Sequence, residues 1–360
     1  MYISVICPNL LTGGAEKVTV NLVNELINKG HWVDLILITN QGDFFEELSN
    51  KCNLISFNKS RSRYAFFSLY RYLLKSKSTV LISTLRETSI LSGLVFKLPF
   101  LKQKLVLREA SQYEENSFLG KFLLNFAYRS ANLFIANSNF TKKSFDEKVF
   151  KFFKKDFKTV VIGNPVFNRN FEERLNNSFD HEWFESEKLK ILVSCGRLDP
   201  IKRFDLLIKA FHIALKSKDF LRLILIGNGS EFEKLKNLSI FLGLESVIEI
   251  IKFDHNPARI FSKADLFVSC SLTEGFSNVL VEALRSGVKV LSSSSGGPND
   301  ILENGKYGKL VEINDEFDLA REILLTLDQN QNITENKNRA LHYSSDRVIN
   351  KYLEHINNIL

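Results

Sequence analysis

Short apolar runs alternate with helical patterns along the chain, and this alternation constrains the fold more than any other feature. In the first half, strand-like runs cover residues 3–7, 35–38, 80–82, 105–107, 133–136 and 160–162. In the second half they cover residues 191–195, 223–226, 247–251, 266–269 and 288–291. Runs this short and apolar, separated by helix-length segments, are typical of parallel strands covered by helices. The sequence therefore predicts an α/β fold.

The length of the chain divides this pattern into two domains. A chain of 360 residues exceeds what one hydrophobic core usually organises. A polar stretch rich in asparagine and acidic residues, without a sustained apolar period, begins near residue 167. We therefore predict a Rossmann-like N-terminal domain over 1–168, a linker over 169–187 and a Rossmann-like C-terminal domain over 188–344. A cleft between the two domains is the expected site.

Two glutamates, Glu274 and Glu282, flank the predicted start of a helix in the second domain. A buried strand over 264–270 and a glycine turn come before it, and Ser277 or Asn278 is placed to cap the helix. Glu282 then lies about 7.5 Å along the axis from Ser277, at 1.5 Å per residue. The amides of the first turn form a positive pole between the carboxylates, where a diphosphate could bind with a hydroxyl-bearing sugar on each side. An ordinary amphipathic helix with two solvated glutamates explains the same spacing.

A basic loop follows the first strand of the same domain. Arg197 and Lys202 lie between a glycine turn at Gly196 and a helical pattern that begins near Phe204. Two cations near a helix N-terminus suit a pyrophosphate, and charge-assisted hydrogen bonds contribute roughly 1.5–3 kcal/mol each. Either residue alone is explained by a solvated surface charge. Together with the glutamate pair, they predict a diphosphate clamp.

These segments belong to a series of motifs that resembles glycosyltransferase family 4, whose members are retaining transferases of the GT-B fold. Six landmarks occur in the family's order, namely residues 8–17, 136–138, 162–166, 225–229, the glutamate pair and 295–298. The resemblance runs nearly end to end. It implies two Rossmann-like domains whose parallel sheets face each other across a cleft, and a C-terminal helix, 345–360, that crosses back to the first domain.

The family resemblance implies transfer of a sugar from a nucleoside diphosphate with its α configuration retained. The catalytic set would be Arg197 and Lys202, which neutralise the leaving diphosphate, and Glu274, which contacts the donor sugar. Glu282 would bind the ribose hydroxyls. The other donor contacts expected from the resemblance are the amides of Phe276, Ser277, Asn278, Val279 and Leu280, with Gly13 and Gly14, which lack side chains and allow close approach.

The acceptor side departs from the family pattern. Several members have a histidine at a strand end where this chain has Arg108, followed by Glu109. The acceptor contacts predicted here are Glu16, Arg108 and Glu109, with Arg108 binding a phosphate of the acceptor; an ion pair at the strand end is the alternative for Arg108 and Glu109. Arg203 replaces a glycine common in the family and is predicted to be a tolerated surface position. His255 is expected to line the nucleotide base pocket or to be a surface histidine.

The segment 291–302 resembles that of members which assemble bacterial O-antigen, capsule or protein-linked glycans from UDP-sugars on polyprenyl diphosphate. We therefore expect a UDP-hexose or UDP-N-acetylhexosamine donor and a glycan acceptor linked to polyprenyl diphosphate, in polysaccharide or lipopolysaccharide biosynthesis. No Asp-x-Asp triplet occurs, so neither a metal nor a cofactor is expected. Two alternatives are a GT-B epimerase acting on a UDP-sugar and a catalytically silent, membrane-associated scaffold for glycan assembly.

The net charge of +7 is concentrated in the first domain, where Glu87 is the only acid between Glu47 and Glu109 against twelve basic residues. Basic and aromatic residues interleave in three clusters, 61–77, 96–104 and 148–155. This pattern is typical of a surface for anionic lipid, although aromatic core residues with solvated lysines give the same pattern. No recognised nucleic-acid motif occurs, so we expect no nucleic-acid partner.

Four scattered cysteines, Cys7, Cys52, Cys195 and Cys270, lack metal-ligand spacing, and three of them lie in predicted strands. The chain starts directly with a strand pattern and contains no apolar run near the ~20 residues that span a bilayer. We expect core thiols in a reducing compartment, in a cytoplasmic protein that is peripheral on the inner face of the cytoplasmic membrane.

Overall fold

A computed structural model describes residues 1–11, 13–113, 117–151, 158–252, 254, 256–313 and 315–360. The chain forms two compact units. The first unit comprises Met1–Asn168 with Tyr343–Leu360, and the second comprises Arg169–His342. Each unit contains one parallel β-sheet with helices, as the alternating apolar runs predict.

The sheet of the first unit has the strand order β3-β2-β1-β4-β5-β6-β7, and every pair is parallel. Its strands are β1 (Tyr2–Cys7), β2 (Trp32–Leu37), β3 (Asn53–Ser56), β4 (Val80–Ser83), β5 (Lys104–Glu109), β6 (Leu133–Ala136) and β7 (Lys158–Val161). The helices between them are α1 (Gly14–Asn28), α2 (Phe66–Lys75), α3 (Arg86–Val95), α4 (Phe118–Tyr128) and α5 (Asn139–Phe145), the last followed by a π-helical turn, Asp146–Phe150.

Alternate residues of these strands pack into two apolar layers, one on each face of the sheet. Val5 of β1 packs in the layer that contains Leu22 of α1, whereas the next residue, Ile6, packs in the layer that contains Leu69 of α2. Side chains of a strand point to opposite faces with a period of two, so both faces of this sheet are buried. This explains why the strands are continuous apolar runs.

The sheet of the second unit has the order β10-β9-β8-β11-β12-β13 and is also parallel throughout. Its strands are β8 (Lys190–Cys195), β9 (Leu221–Ile226), β10 (Ile248–Ile251), β11 (Leu266–Ser269), β12 (Lys289–Ser293) and β13 (Lys309–Val311). Its helices are α6 (Phe171–Leu175), α7 (Phe204–Leu215), α8 (Phe232–Phe241), α9 (Ala258–Phe261), α10 (Asn278–Ser286), α11 (Gly297–Ile301), α12 (Glu316–Asp328) and α13 (Ile333–Ala340).

In both sheets the chain order reverses at one point. The central first strand has its second strand on one side and its fourth on the other, as β1 has β2 and β4, and β8 has β9 and β11. In open parallel sheets, ligands bind at the carboxyl ends of the strands beside such a reversal. The loops that follow β8 and β11 carry Arg197, Lys202 and Glu274.

Residues 169–187, predicted as a linker, are part of the folded second unit. They contain α6 and a short 3-10 helix, Glu182–Glu185, and Phe171 is buried. Asn256 Nδ2 donates to the carbonyl of Arg174 at 2.8 Å, which ties the segment to the rest of the unit. Its apolar residues are too few and too irregular in spacing to register as a helical or strand period, which is why the sequence pattern did not reveal this packing.

The last helix, α14 (Ser345–Asn357), lies in the first unit. It packs against α1 and places Val348 and Tyr352 in the same apolar layer as Leu22. Two backbone hydrogen bonds join the start of this helix to the end of the first segment of the unit. Val166 N–H donates to the Tyr343 carbonyl at 2.9 Å, and Ser345 N–H donates to the Phe167 carbonyl at 2.8 Å.

Candidate active site

The loop after β11 is held to the loop after β12 by main-chain hydrogen bonds. Glu274 N–H donates to the Ser295 carbonyl at 2.8 Å, and Gly297 N–H donates to the Glu274 carbonyl at 2.8 Å. A Cβ atom on Gly297 would lie 2.5 Å from the Gly275 carbonyl oxygen, so only glycine permits this approach. The backbone at Glu274 is therefore fixed from both sides before any ligand binds.

Glu274 forms an ion pair with Lys202, which comes from the loop after β8. Both side chains are partly buried. The hydroxyl of Ser271 also donates to Glu274 Oε1, at 3.2 Å, and Leu272 N–H donates to the Ile201 carbonyl at 2.8 Å. Two residues that lie 72 positions apart in the sequence are thus brought together at the point where the sheet reverses its order.

Lys202 ends a short 3-10 helix, Pro200–Lys202, and α7 starts after Arg203. Arg203 has φ 53° and ψ 40°, the left-handed conformation that glycine adopts without steric cost. This explains structurally why a glycine is common at the position. Arg203 is partly exposed and adopts this conformation at a steric cost that glycine would not have. The Cys270 thiol donates to the carbonyls of Lys202 and Arg203, at 3.4 and 3.2 Å, which fixes the turn.

Helix α10 begins after Ser277, as the sequence predicts, but the Ser277 side chain does not cap it. Its hydroxyl oxygen is buried and has no hydrogen-bond partner among the described residues. Glu282 lies one turn into the helix and is partly buried. Burial raises the pKa of the Cys195 thiol at the end of β8; the charge of Glu282 raises this pKa further, and the charge of Lys202 opposes the rise. Both charges therefore act at the carboxyl end of β8.

Arg197 does not join the pair between Lys202 and Glu274. Its side chain is 76% exposed, and its Nε donates to Asp199 Oδ2 at 2.7 Å. Asp199 carries a second carboxylate oxygen that is buried without a partner in the described part of the chain. The structure therefore brings together two of the three predicted catalytic residues and places the third at the edge of the same loop.

The glycine motif at residues 225–229 has a packing role. A Cβ atom on Gly227 would lie 1.9 Å from the carbonyl oxygen of Gly196, so the loop after β9 packs directly against the backbone of the basic loop. Leu198 N–H donates to the Asn228 carbonyl at 2.8 Å, which joins the same two loops. Close backbone packing holds the basic loop in place.

In the first unit, Gly13 is the N-cap of α1 and Gly14 its first residue. The carboxylate of Glu16 folds back over Gly13, with Oε2 2.2 Å from the position a Cβ atom would occupy there. Lys17 N–H donates to the Gly13 carbonyl at 3.1 Å. Glu16 therefore lies at the start of the helix, where its charge is favoured by the helix dipole.

The predicted acceptor role of Arg108 conflicts with its placement, because the side chain is fully buried and presents no surface to a ligand. Its Nη1 donates to the Thr84 carbonyl at 3.0 Å and its Nη2 to Asn164 Oδ1 at 2.6 Å. Burial raises the pKa of Tyr352 in α14, and the charge of Arg108 opposes this rise, so the guanidinium also faces the last helix. Arg108 holds together parts of the first unit that are distant in sequence.

Glu109 is likewise buried, with its own partners. Its Oε2 lies 3.3 Å from Arg86 Nε, and the hydroxyl of Tyr128 donates to Oε1. Burial raises the pKa of Glu109, although Arg86 and Tyr128 both act to lower it. The predicted acceptor contact through Glu109 and the alternative of a pair with Arg108 are both replaced by a buried cluster of Arg86, Glu109 and Tyr128.

Arg86 is a residue that the sequence analysis did not identify. Its Nη2 donates to the carbonyl oxygens of Ser111 and Gln112, at 3.1 and 2.9 Å, and its guanidinium lies over the rings of Tyr113 and Phe145. Its position as the first residue of α3 belongs to no motif that the sequence analysis recognised. The predicted role of His255 lies outside the described residues.

The basic and aromatic clusters of the first unit are divided between the core and the surface. Leu69 of the first cluster is buried, and Phe96 of the second packs partly buried against the same layer, whereas Phe67 and Phe100 are exposed. In the third cluster Phe150 is buried, and residues 152–155 lie outside the described part. Among the described residues, no helix combines the length and the apolar character needed to cross a membrane.

Two family models match consecutive parts of the chain, Glycosyltransferase Family 4 over residues 12–166 and Glycosyl transferases group 1 over residues 176–343. A Campylobacter jejuni protein named GalNAc-α-(1→4)-GalNAc-α-(1→3)-diNAcBac-PP-undecaprenol α-1,4-N-acetyl-D-galactosaminyltransferase is 29% identical over 366 residues, covering 98% of this chain and 96% of that protein.

A second C. jejuni protein, N-acetylgalactosamine-N,N'-diacetylbacillosaminyl-diphospho-undecaprenol 4-α-N-acetylgalactosaminyltransferase, is 28% identical over 247 residues. That match covers 66% of this chain and 64% of the relative, less than two thirds of its length. The crystal structure of Anabaena HepE in complex with UDP matches with a TM-score of 0.80 at 18% identity, covering 99% of this chain and 100% of HepE. Because the two family models account for most of both units and the fold matches along its whole length, the chain belongs to glycosyltransferase family 4 and has the GT-B fold.

Proposed function

We propose that this protein transfers a sugar, with retention of its α configuration, from a UDP-sugar to a glycan acceptor linked to polyprenyl diphosphate. The donor is a UDP-hexose or a UDP-N-acetylhexosamine, and the reaction belongs to the assembly of a bacterial surface glycan such as O-antigen or capsule. The observation that carries this proposal is the ion pair between Lys202 and Glu274 beside the start of α10, where the sheet of the second unit reverses its order.

An ammonium, a carboxylate and a helix N-terminus at one edge suit the three parts of a nucleotide sugar. Lys202 and the first-turn amides of α10 attract the diphosphate, because a helix N-terminus carries partial positive charge. Glu274 accepts hydrogen bonds from hydroxyls of the donor sugar, and Glu282, one turn along the same helix, accepts those of the ribose. The exposed Arg197 then turns from Asp199 to the diphosphate.

The transfer reaction requires stabilisation of its leaving group, the nucleoside diphosphate. The bond between the anomeric carbon and the diphosphate oxygen breaks, and a bond to the acceptor oxygen forms on the same face of the sugar. The hydroxyl proton of the acceptor passes to the departing diphosphate, which lies beside it on that face. Negative charge grows on the diphosphate during this step, and cations held in a fixed position stabilise it in the transition state. Lys202 and Arg197 supply that charge without a metal ion.

The relatives support the choice of substrates. HepE was crystallised with UDP, and both C. jejuni relatives are named as N-acetylgalactosaminyltransferases whose acceptors carry undecaprenol diphosphate. A lipid-linked acceptor requires the protein to work at the surface of a membrane, and we propose the inner face of the cytoplasmic membrane. The exposed Phe67 and Phe100, with the basic residues around them, favour contact of the first unit with that surface.

A thermal-shift screen with UDP, GDP, ADP and TDP, each with and without EDTA, tests the donor assignment. A ligand at 100 times its Kd stabilises the folded state by about 2.7 kcal/mol, which is readily measured. We expect a response to UDP that EDTA does not change. A response to another nucleotide would replace UDP, and silence from all four would favour a scaffold without catalytic activity.

Turnover and stereochemistry complete the test. Release of UDP from UDP-N-acetylgalactosamine, UDP-N-acetylglucosamine, UDP-glucose and UDP-galactose is measured with a polyprenyl-diphosphate glycan as acceptor, and the anomeric proton of the product is assigned by NMR. An α product supports retention and a β product contradicts it. A UDP-sugar that changes its configuration without an acceptor would indicate an epimerase.

A further inference from the structure

Helix α4 presents a continuous apolar face to the outside of the first unit. Phe118, Leu119, Phe122, Leu123 and Phe126 are 81, 64, 44, 50 and 44% exposed, respectively. At 100° per residue these five positions fall within an arc of about 140° on one side of the helix. A surface helix normally carries polar residues on this side, and contiguous exposed apolar patches mark interaction sites. None of the three basic and aromatic clusters discussed above includes this helix.

The opposite side of α4 already fulfils its packing role. Leu124, Ala127 and Tyr128 are buried in the apolar layer of the first unit, and Asn125 Nδ2 donates to the Val149 carbonyl at 3.1 Å. Ser117 caps the helix by accepting a hydrogen bond from Gly120 N–H at 3.2 Å. The helix is therefore fixed by its inner side and its cap, and the fold does not require apolar residues on its outer side.

Positive charge borders the apolar face. Lys97 Nζ lies 4.8 Å from the centre of the Phe126 ring, and Arg129 directly follows the helix and is exposed. Partial burial lowers the pKa of Lys97, and the charge of Arg129 lowers it further, which indicates two cations close together at this end of the helix. Between residues 117 and 145 the sequence has four basic residues and no aspartate or glutamate.

This combination selects among possible occupants. A symmetric contact with a second copy of the chain would use the same patch on both copies and would bring two borders of like charge together. The headgroups of an anionic bilayer complement the cations, while its acyl chains accept the apolar side chains. We propose that the outer face of α4 inserts into the interface of an anionic membrane, with Phe118, Leu119 and Leu123 as its principal anchors.

The insertion of α4 does not depend on the transfer chemistry. It shares with the proposed function the location at a membrane and the contact through Phe100. Its outer side chains would lie about 5–10 Å deep, at the boundary between headgroups and acyl chains. Phe100, on the loop that follows α3, is 81% exposed and adopts φ 70°, and Lys97 joins that loop to α4 through the ring of Phe126. Phe100 follows Lys97 by three residues, and we include its exposed ring in the proposed membrane contact.

Cosedimentation of the full chain with vesicles of phosphatidylcholine, with and without phosphatidylglycerol, tests the insertion. Phe118→Ser, Leu119→Ser and Leu123→Ser together should weaken partition into the anionic vesicles by about 100-fold, because each loses an apolar anchor. The matched control carries Phe241→Ser, Phe317→Ser and Leu325→Ser, three exposed apolar residues of the second unit, and should bind like the parent. Equal binding of the triple α4 variant and the parent would overturn the proposal.

Salt separates the apolar contribution from the charged one. Lys97→Gln, Lys102→Gln and Lys104→Gln together should weaken binding mainly at low salt, because ions screen the charges. The α4 variant should lose binding at both low and high salt. Loss of all parent binding in 0.5 M NaCl would mean that charge alone attaches the protein, which contradicts insertion.

A depth measurement completes the experiment. With Trp32 and Trp183 replaced by phenylalanine, Leu119→Trp provides a single fluorophore on the outer face of α4. Its emission should shift to shorter wavelength on anionic vesicles and be quenched by lipids brominated on their acyl chains; no shift and no quenching would overturn insertion. A parent that is dimeric without lipid, with a monomeric α4 variant, would assign the face to a second copy instead. The thermal shift with UDP, measured on the same variants, tests the donor site separately.

Discussion

The two sheets share the order of their first six strands, and the first sheet has a seventh. They use the charged residues at their carboxyl ends in opposite ways. In the second unit, Lys202 and Glu274 pair with each other at a partly exposed edge. In the first unit, Arg108 and Glu109 are buried and bind a main-chain carbonyl, an amide, Arg86 and a tyrosine hydroxyl within the same unit. A reversal of strand order creates an edge where a ligand can bind, but the partners of each side chain decide whether its charge remains available.

The charged pair in the second unit can exchange partners, whereas breaking the buried contacts in the first unit lowers the stability of the fold. A diphosphate can replace the carboxylate of Glu274 at Lys202, because both groups reach solvent. Removing a buried cation from neutral acceptors leaves those acceptors without hydrogen bonds, and each such group costs about 1–3 kcal/mol. We therefore expect mutations of Arg108 and Glu109, in the first unit, to affect folding, and mutations of Lys202 and Glu274, in the second unit, to affect nucleotide binding.

The largest effect is expected for Arg108→Ala. The change removes the donors to the Thr84 carbonyl and to Asn164 and opens a cavity beside Tyr352, so the free energy of unfolding should fall by about 3–5 kcal/mol. Hydrogen exchange measured by mass spectrometry should show lower protection in the first unit, including α14, and UDP binding should stay unchanged. Arg222→Ala, a partly exposed arginine of β9, is the control and should cost less than 1 kcal/mol.

A variant that keeps most of the volume separates packing from hydrogen bonding at this position. Arg108→Met should recover the part of the loss that comes from the cavity and leave the part that comes from the two acceptors. If Arg108→Ala left stability unchanged but abolished transfer to the acceptor, Arg108 would be an acceptor-binding residue after all, and the contrast between the two edges would fail.

The sequence predicted the parts of the molecule that depend on periodicity. The alternating apolar runs revealed both sheets, and the glycine turn before Ser277 predicted the start of α10 correctly. The order of motifs predicted the family. The sequence could not reveal the pairing of Lys202 with Glu274, because that contact joins residues 72 positions apart and depends on loop packing.

The errors came from side-chain burial. Arg108 and Glu109 follow a buried strand and resemble residues at a site, but whether they face solvent depends on Tyr128 and Tyr352, which come from distant helices. The outer face of α4 was missed for the opposite reason. Its helix is apolar on nearly all sides, so periodicity cannot distinguish the side that packs from the side that is exposed.

The next effect separates the two members of the charged pair in the second unit. Lys202→Ala should weaken UDP binding by about 10–150-fold, because one charge-assisted contact contributes roughly 1.5–3 kcal/mol. Glu274→Gln should leave UDP binding equal or tighter, because Lys202 is then released from its carboxylate partner. Turnover of the UDP-sugar should fall in both variants. Calorimetry with UDP, together with UDP release in the presence of acceptor, checks both expectations.

Lys209→Ala is the matched control, since Lys209 is an exposed lysine of α7 in the same unit. Its UDP affinity and turnover should equal those of the parent. Weaker UDP binding in Glu274→Gln than in Lys202→Ala would contradict the exchange of partners, and it would indicate that Glu274 positions the loop instead.

A smaller effect is expected at the turn that places Lys202. Arg203→Gly should stabilise the second unit by up to about 1 kcal/mol, because glycine adopts φ 53° without the steric cost that a side chain adds. Urea unfolding measures the change, and UDP affinity should stay within a factor of two. Destabilisation by Arg203→Gly would mean that contacts of the arginine side chain outweigh its backbone strain.

The smallest effect is a pH dependence that belongs to the first unit alone. Burial raises the pKa of Glu109 above its ordinary value of 4.5. At a pH between the ordinary and the raised pKa, the folded state binds more protons than the unfolded state. Glu109 therefore stabilises the fold fully below its ordinary pKa, and this contribution is lost as pH rises through the raised pKa. Relative to Glu109→Gln, which does not titrate, the parent should lose stability as pH rises above the ordinary pKa of 4.5. Urea unfolding of both proteins at several pH values measures the difference, with exposed Glu87→Gln as the control.

Parallel curves for parent and Glu109→Gln would show that Arg86 and Tyr128 fully compensate the burial of Glu109. A charge at the carboxyl end of the first sheet would then cost no more stability than a charge at that end of the second sheet.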